Sequence, residues 1–358
     1  MKTKEMNQKS LKVRDEYLDI LRILATIAVV MIHVVARGWL NSNIFTFEWQ
    51  CYNLFYGILR WAVPVFVMIS GALFLKGEEK PLNKLYCKNI AKIVIAFCFW
   101  SAIYVAIYFE ERGYGFRDTF SNFLKGHYHM WFLFMITGLY MLVPILRKIT
   151  ESEDVTKYSL GLFMTFSVLI PFLMKLFSVK FDGIGRVIGE MLEKVNYLTS
   201  LGFVVYFLLG YYLDKREIVK KERKFIWILG IIGFFLTVFL TNWISQLYHV
   251  QDERFGEYLN LNVMLESIAV FVLIKSNYKK FNLGEKTKKF VQKFSKYSFG
   301  IYLVHAMVLD WVNRIIEGTV IMQNPFLHIP ITTIVVVTIS YMISAILNKI
   351  PVLNKYIV

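Results

Sequence analysis

Long apolar runs alternate with short charged segments along the whole chain. The alternation follows bilayer thickness, about twenty residues per crossing, rather than the shorter rhythm of a soluble bundle. The runs lie near Tyr17–Ala36, Tyr52–Leu75, Ile90–Phe109, His129–Leu146, Tyr158–Val179, Ser200–Leu213, Phe225–Trp243, Leu259–Ile274, Tyr297–Ile316 and Leu327–Leu347. The run at Ser200–Leu213 is short, and its boundaries are the loosest. Glu110–Tyr128 mixes charge signs and reads as an external loop or surface helix. Within Lys180–Leu198, Ile184, Val187, Ile188, Met191 and Leu192 recur at helical spacing, which predicts an amphipathic helix on the outer surface. The pattern predicts an all-α polytopic membrane protein of about ten transmembrane helices.

Charge adds the orientation. Basic residues collect in the loops after the second, fourth, sixth and eighth runs and at both ends. The remaining loops carry few or balanced charges. An excess of Lys and Arg marks cytoplasmic loops, so both termini are expected in the cytoplasm. The organisation expected is a cytoplasmic tail over 1–16, a membrane domain over 17–348 and a cytoplasmic tail over 349–358. No small-residue cleavage site follows a short apolar core, so the first run is expected to be retained.

Composition agrees. Of 358 residues, 56% are hydrophobic and 19% charged, and mean hydropathy is +0.49. The net charge of +15 is spread over short loops instead of one folded basic face, which argues against nucleic acid as a partner. The three cysteines are odd in number and lack metal-ligand spacing, so neither a disulfide nor a metal site is expected.

Candidate chemistry sits inside the apolar runs, where ionisable groups are costly and face a protein interior or a wet cavity. The first run contains Asp19, Arg22 and His33. Eleven helical steps lead from Arg22 to His33, which brings the second back to within about 20° of the first and about 16 Å along the axis. Asp19 precedes Arg22 by three residues and shares that face. In the second run Arg60 falls near mid-membrane and requires an anion or a cavity. Pro64, Ser70 and Gly71 by themselves suit helix packing. His127 and His129 stand at the outer mouth of the fourth run, and Glu266 and His305 lie deep in the eighth and ninth. Lone groups of this kind are commonly structural, but together they describe a polar interior in an apolar bundle.

Four motifs in order carry a family resemblance: the Arg-x10-His spacing of Arg22 and His33, RWAVPVFVMISG from Arg60 to Gly71, HMWFL from His129, and YSFGIYLVH ending at His305. The chain resembles the acyltransferase-3 family of integral membrane acyltransferases nearly end to end. It is similar to bacterial inner-membrane O-acetyltransferases that modify surface polysaccharides. The resemblance implies no permanently bound cofactor. It implies acyl-CoA, by default acetyl-CoA, as a cytoplasmic co-substrate, and as acceptor a hydroxyl of a surface glycan or a lipid-linked sugar, in contact with membrane lipids. It implies His33 as general base, Arg22 on the CoA phosphates held by Asp19, and Arg60 on the donor or the reacting carbonyl. Ser70 would join the donor site, with His129, Glu266 and His305 in support. Two other classes fit a polar interior: a transporter of a polar small molecule or glycan, and a membrane module serving a partner enzyme. No internal symmetry between halves and no obvious pair of broken helices favours the transporter.

The orientation is directly testable. Reporter fusions after Lys4 and after Lys355 are both expected to report cytoplasm; an external C-terminus would reduce the crossings to an odd number, with Ser200–Leu213 the first suspect.

Overall fold

The computed structural model describes residues 15–77, 81–112, 116–180 and 199–358, and every regular element among them is helical. The longer helices are α1 (Glu16–Asn41), α2 (Phe47–Leu59), α3 (Ala62–Phe74), α4 (Ala91–Arg112), α5 (Phe116–Lys125), α6 (Trp131–Thr150), α7 (Glu153–Met164), α8 (Ile170–Lys180), α9 (Thr199–Lys215), α10 (Lys220–Tyr248), α11 (Leu261–Asn277), α12 (Glu285–Ile316) and α13 (Pro325–Leu347). A π-helical stretch, Thr165–Leu169, joins α7 to α8. Among the described residues nine helical stretches are long and apolar enough to cross a membrane. The remaining expected crossing, the sixth, is α9, whose 17 residues extend about 26 Å. The chain is therefore a multi-pass, all-α membrane protein. The amphipathic helix expected within Lys180–Leu198 falls outside the described residues, as does most of the tail 1–16. The mixed-charge segment between the third and fourth crossings contains α5, a short surface helix.

Burial divides the helices into an inner and an outer set. α1 packs against α2, α3, α12 and α13, and 61% of its apolar window is buried, against 22% for Glu153–Val179. Tyr158, Phe166 and Phe177 on that peripheral stretch are exposed, as lipid-facing side chains should be. α9 is apolar on all sides and is correspondingly interior: every residue from Phe203 to Leu209 is buried. Its contact with α3 is set by glycine. A Cβ on Gly71 would strike the Phe207 carbonyl, and one on Gly210 the Met68 carbonyl. The two backbones meet directly, which is how membrane helices gain dispersion contacts that lipid cannot supply.

The second expected crossing is two helices. Arg60 and Trp61 form a turn between α2 and α3. Pro64 explains it. It has no N–H to give the Arg60 carbonyl four residues earlier, so the helical ladder stops there. The Arg60 N–H reaches back to Gly57 O at 3.4 Å, and the helix restarts with Val65 N–H on Trp61 O at 3.0 Å. Gly71 packs as its sequence suggested, whereas Pro64 does more than pack: it breaks the crossing beside its one arginine.

At the basic end the loop cations close the helices. Arg147 donates to the carbonyls of Phe74, at the end of α3, and of Lys76 and Gly77 just beyond it, at 3.0–3.2 Å. Lys275 does the same for Leu213, Asp214 and Arg216 at the end of α9, at 2.5–2.8 Å. Cations at helix C-termini satisfy carbonyls that no further turn will use. Lys76 pairs with Asp15 at 3.1 Å and Asp214 at 3.0 Å. Burial works to depress its pKa, but these two carboxylates outweigh it and hold the ammonium above the usual lysine value.

The glycine contact generates a stability prediction. Gly71→Ala and Gly210→Ala are each expected to cost at least the about 1–3 kcal/mol typical of overpacking, because the obstruction is backbone and cannot swing aside. Thermal unfolding in detergent should show a lowered midpoint for both variants; an unchanged midpoint would mean that α3 and α9 separate freely.

Candidate active site

The polar groups of α1 lie at the two ends of one buried line. Toward the basic end, Ser295 of α12 ties the acid–base pair together. Its hydroxyl donates to Asp19 Oδ1 at 2.6 Å and accepts from Arg22 Nη1 at 3.1 Å. The direct Arg22–Asp19 approach is longer, 3.9 Å. Asp19 is buried and Arg22 is not, its side chain retaining 26% exposure. The carboxylate thus anchors the arginine through a hydroxyl while leaving guanidinium surface available. Tyr140 of α6 stands near Arg22 and beside Ser70, and its ring stacks on Phe74 with centres 4.2 Å apart.

Two cavities lie among the loop cations of the basic end. A cavity of about 560 Å³ is lined by Lys76, Arg147, Tyr211, Asp214 and Lys215 among others. A second, of about 450 Å³, shares Thr150, Tyr211 and Lys215 with it and adds Lys157 and Arg216. Asp214 accepts a hydrogen bond from Tyr17 of α1, which links the cavity wall to the helix that carries Arg22. Neither lining includes Arg22 or His33.

His33 lies at the other end of the line, and there the fold assembles what the sequence scattered. His305 of α12 approaches it with ring centres 5.0 Å apart, Tyr128 at 5.3 Å and His129 at 6.4 Å. His127 reaches His129, Nδ1 to Nδ1, at 2.9 Å. Four imidazoles thus converge from α1, α12 and the 3-10 turn Tyr128–Met130 with its preceding residue. That turn points His127 and His129 to one place, although they lie two positions apart. Tyr302 holds the turn by donating to the His129 carbonyl at 2.6 Å. Behind it, the rings of Tyr104 and His127 stack at 4.2 Å, and Tyr108 donates to Asp310. His33 is half-buried, His129 and His305 fully buried. Tyr128, in ring contact with three of the histidines, is itself 57% exposed.

Arg60 occupies the break between α2 and α3. Its guanidinium lies 4.6 Å from the centre of the Tyr56 ring and 4.3 Å from that of Tyr258, and its Nε donates to the Gly256 carbonyl. Aromatic faces stabilise a buried cation without neutralising it, so its charge persists in the interior. Glu266 stands apart from the histidines, between α10 and α11, where Thr237 donates to it and Asn262 donates to the same threonine at 2.8 Å. Arg60 is within charge-interaction range of both His33 and Glu266.

The structure therefore brings His33, His129 and His305 together, holds Arg22 on Asp19, and leaves Ser70 and Glu266 flanking. Three participants went unrecognised in the sequence. Ser295, Tyr128 and Tyr258 are common residue types outside the quoted motifs, and only their neighbours in the fold give them meaning.

Two polar groups at opposite ends of one helix in an apolar bundle, an anchored arginine and an imidazole cluster, mark a membrane protein built around a reaction or passage site. A family model described as an acyltransferase domain matches residues 15–345, nearly the whole chain. The chain belongs to this family, acyltransferase-3, and is a membrane acyltransferase. Neither a curated protein nor a solved structure matches it.

Proposed function

We propose that this acyltransferase takes an acyl group, by default acetyl, from cytoplasmic acyl-CoA and places it on a hydroxyl of a surface glycan or lipid-linked sugar, in a bacterial plasma membrane. The observation that carries the reading is the pairing on α1: a partly open arginine held by Ser295 and Asp19, and about 16 Å further along the helix a half-buried histidine among other imidazoles. An extended thioester arm fits between two such ends.

In this reading the donor's phosphates bind at the basic mouth. Arg22 meets them with a planar fork suited to phosphate oxygens. Ser295 and Asp19 hold that fork, and Lys215 adds charge to the adjoining wall. Ser70 and Tyr140 flank the arm. The acceptor enters from the opposite side, past Tyr128. His33 takes the proton of its hydroxyl, the oxygen attacks the thioester carbonyl, and the carbon–sulfur bond breaks as the thiolate recovers the proton. Neutral imidazole is suited to such a two-way transfer. Arg60, charged and held between two rings, steadies the negative carbonyl oxygen. Glu266, held by Thr237, supports the interior around that cation.

Two variants assayed side by side separate the roles. His33→Gln is expected to lose about 10²–10⁴ in transfer rate while still binding a non-hydrolysable acyl-CoA analogue, since an amide cannot take the proton. Arg22→Lys is expected to weaken analogue binding, since a point charge cannot replace a bidentate fork. Near-wild-type transfer by folded His33→Gln would remove His33 as base; unchanged affinity in Arg22→Lys would move the phosphate contact elsewhere.

A further inference from the structure

Two rings beside His33 carry a feature that packing does not explain. The Nε2 atoms of His129 and His305 are both buried and have no hydrogen-bond partner. Buried polar atoms are usually partnered, so an imidazole nitrogen left without one beside His33 is a candidate to gain a partner when substrate binds. His305 is the better defined. Its Nδ1 lies 2.6 Å from the Tyr302 carbonyl oxygen. A carbonyl can only accept, so Nδ1 carries the proton, and in the neutral ring Nε2 presents a lone pair. The His305 ring has no exposed surface, so that lone pair cannot be satisfied by bulk water.

The spacing names the partner. The His33 and His305 ring centres are 5.0 Å apart with the rings tilted by 31°. A nitrogen-to-nitrogen hydrogen bond of about 2.9 Å between two imidazoles places their centres about 5 Å apart. A modest rotation of the half-buried His33 ring forms that bond, and catalytic hydrogen bonds commonly tighten when substrate binds.

We propose that His305 is the positioning residue of His33. Its Nε2 lone pair takes the N–H on one edge of the His33 ring, which leaves the lone pair of the opposite nitrogen facing the acceptor hydroxyl. The Tyr302 carbonyl fixes the tautomer of His305, and His305 fixes that of His33, the logic by which an oriented partner directs a catalytic imidazole. During transfer His33 gains the hydroxyl proton on its outer nitrogen and returns it to the thiolate. His305 changes neither charge nor tautomer. The inference rests on the reading of His33 as general base, and its test includes a measurement that does not depend on turnover.

His305→Leu keeps the volume and removes the acceptor; His305→Gln offers an amide oxygen near the Nε2 position. Membrane vesicles bearing each variant receive radiolabelled acetyl-CoA, and label is counted in the cell-envelope glycan fraction. His305→Leu is expected to lose about 10²-fold in kcat with the KM for acetyl-CoA unchanged, and His305→Gln to recover to within about tenfold of wild type. In parallel, diethylpyrocarbonate modification of His33, which needs a free imidazole lone pair, is followed by mass spectrometry. It should slow several-fold in His305→Leu and recover in His305→Gln. Wild-type behaviour of His305→Leu in both measurements, or equal impairment of folded Leu and Gln variants in both, overturns the proposal and leaves His305 a packing residue. If wild-type vesicles transfer no label, the acyl-CoA reading fails, while the modification rates still decide whether His305 sets the His33 ring. If His305→Leu does not fold, the Gln variant decides: His33 modification and transfer both collapsing in it count against the proposal.

Discussion

Charge in a hydrocarbon environment must find its partners within the protein, and that constraint organises this chain. α1 brings a carboxylate, a guanidinium and an imidazole into the bundle, and the surrounding helices are placed to receive them. α12 meets both ends of α1, with Ser295 between Asp19 and Arg22 and with His305 against His33. The α2–α3 break places Arg60 between two aromatic rings. A helix that buried only leucines could slide or rotate against its neighbours at small cost; these contacts fix register as well as position.

The same constraint acts on the backbone. Each helix end leaves carbonyls or N–H groups without intrahelical partners. At the basic end, Arg147 and Lys275 supply the missing donors. Cations that orient the chain in the membrane thus also close its helices. At the mid-membrane break, proline removes a donor and the turn of Arg60 and Trp61 absorbs the loss. Topology, helix termination and the placement of a buried arginine follow from one rule about unsatisfied polar groups.

Position within the bundle separates the roles of similar residues. Glu266 and Asp19 are both buried carboxylates. Asp19 holds a guanidinium that keeps exposed surface, whereas Glu266 is engaged by Thr237 within a network that Asn262 extends to the Phe255 carbonyl at 2.8 Å. Likewise His33 retains open surface while His129 and His305 have almost none. Accessibility, not residue type, separates groups that can meet a substrate from groups that support them.

The sequence by itself determined the class of fold, the sites of the crossings and the shared face of Asp19, Arg22 and His33, because these depend on local hydropathy and helical period alone. It also pointed to the family through four ordered motifs, which the family match over residues 15–345 supports. It marked Pro64 but not the break, since a proline in a membrane helix can kink or interrupt it depending on what receives the freed carbonyl. Only the tertiary structure decided that His127, His129 and His305 surround His33, because they come from segments remote in sequence whose facing depends on how α1, α12 and the turn before α6 pack. Ser295, Tyr128 and Tyr258 gained their places in the same way. Side-chain roles in a buried polar site are pairwise properties, and the pairs are made by helix packing that no local pattern encodes.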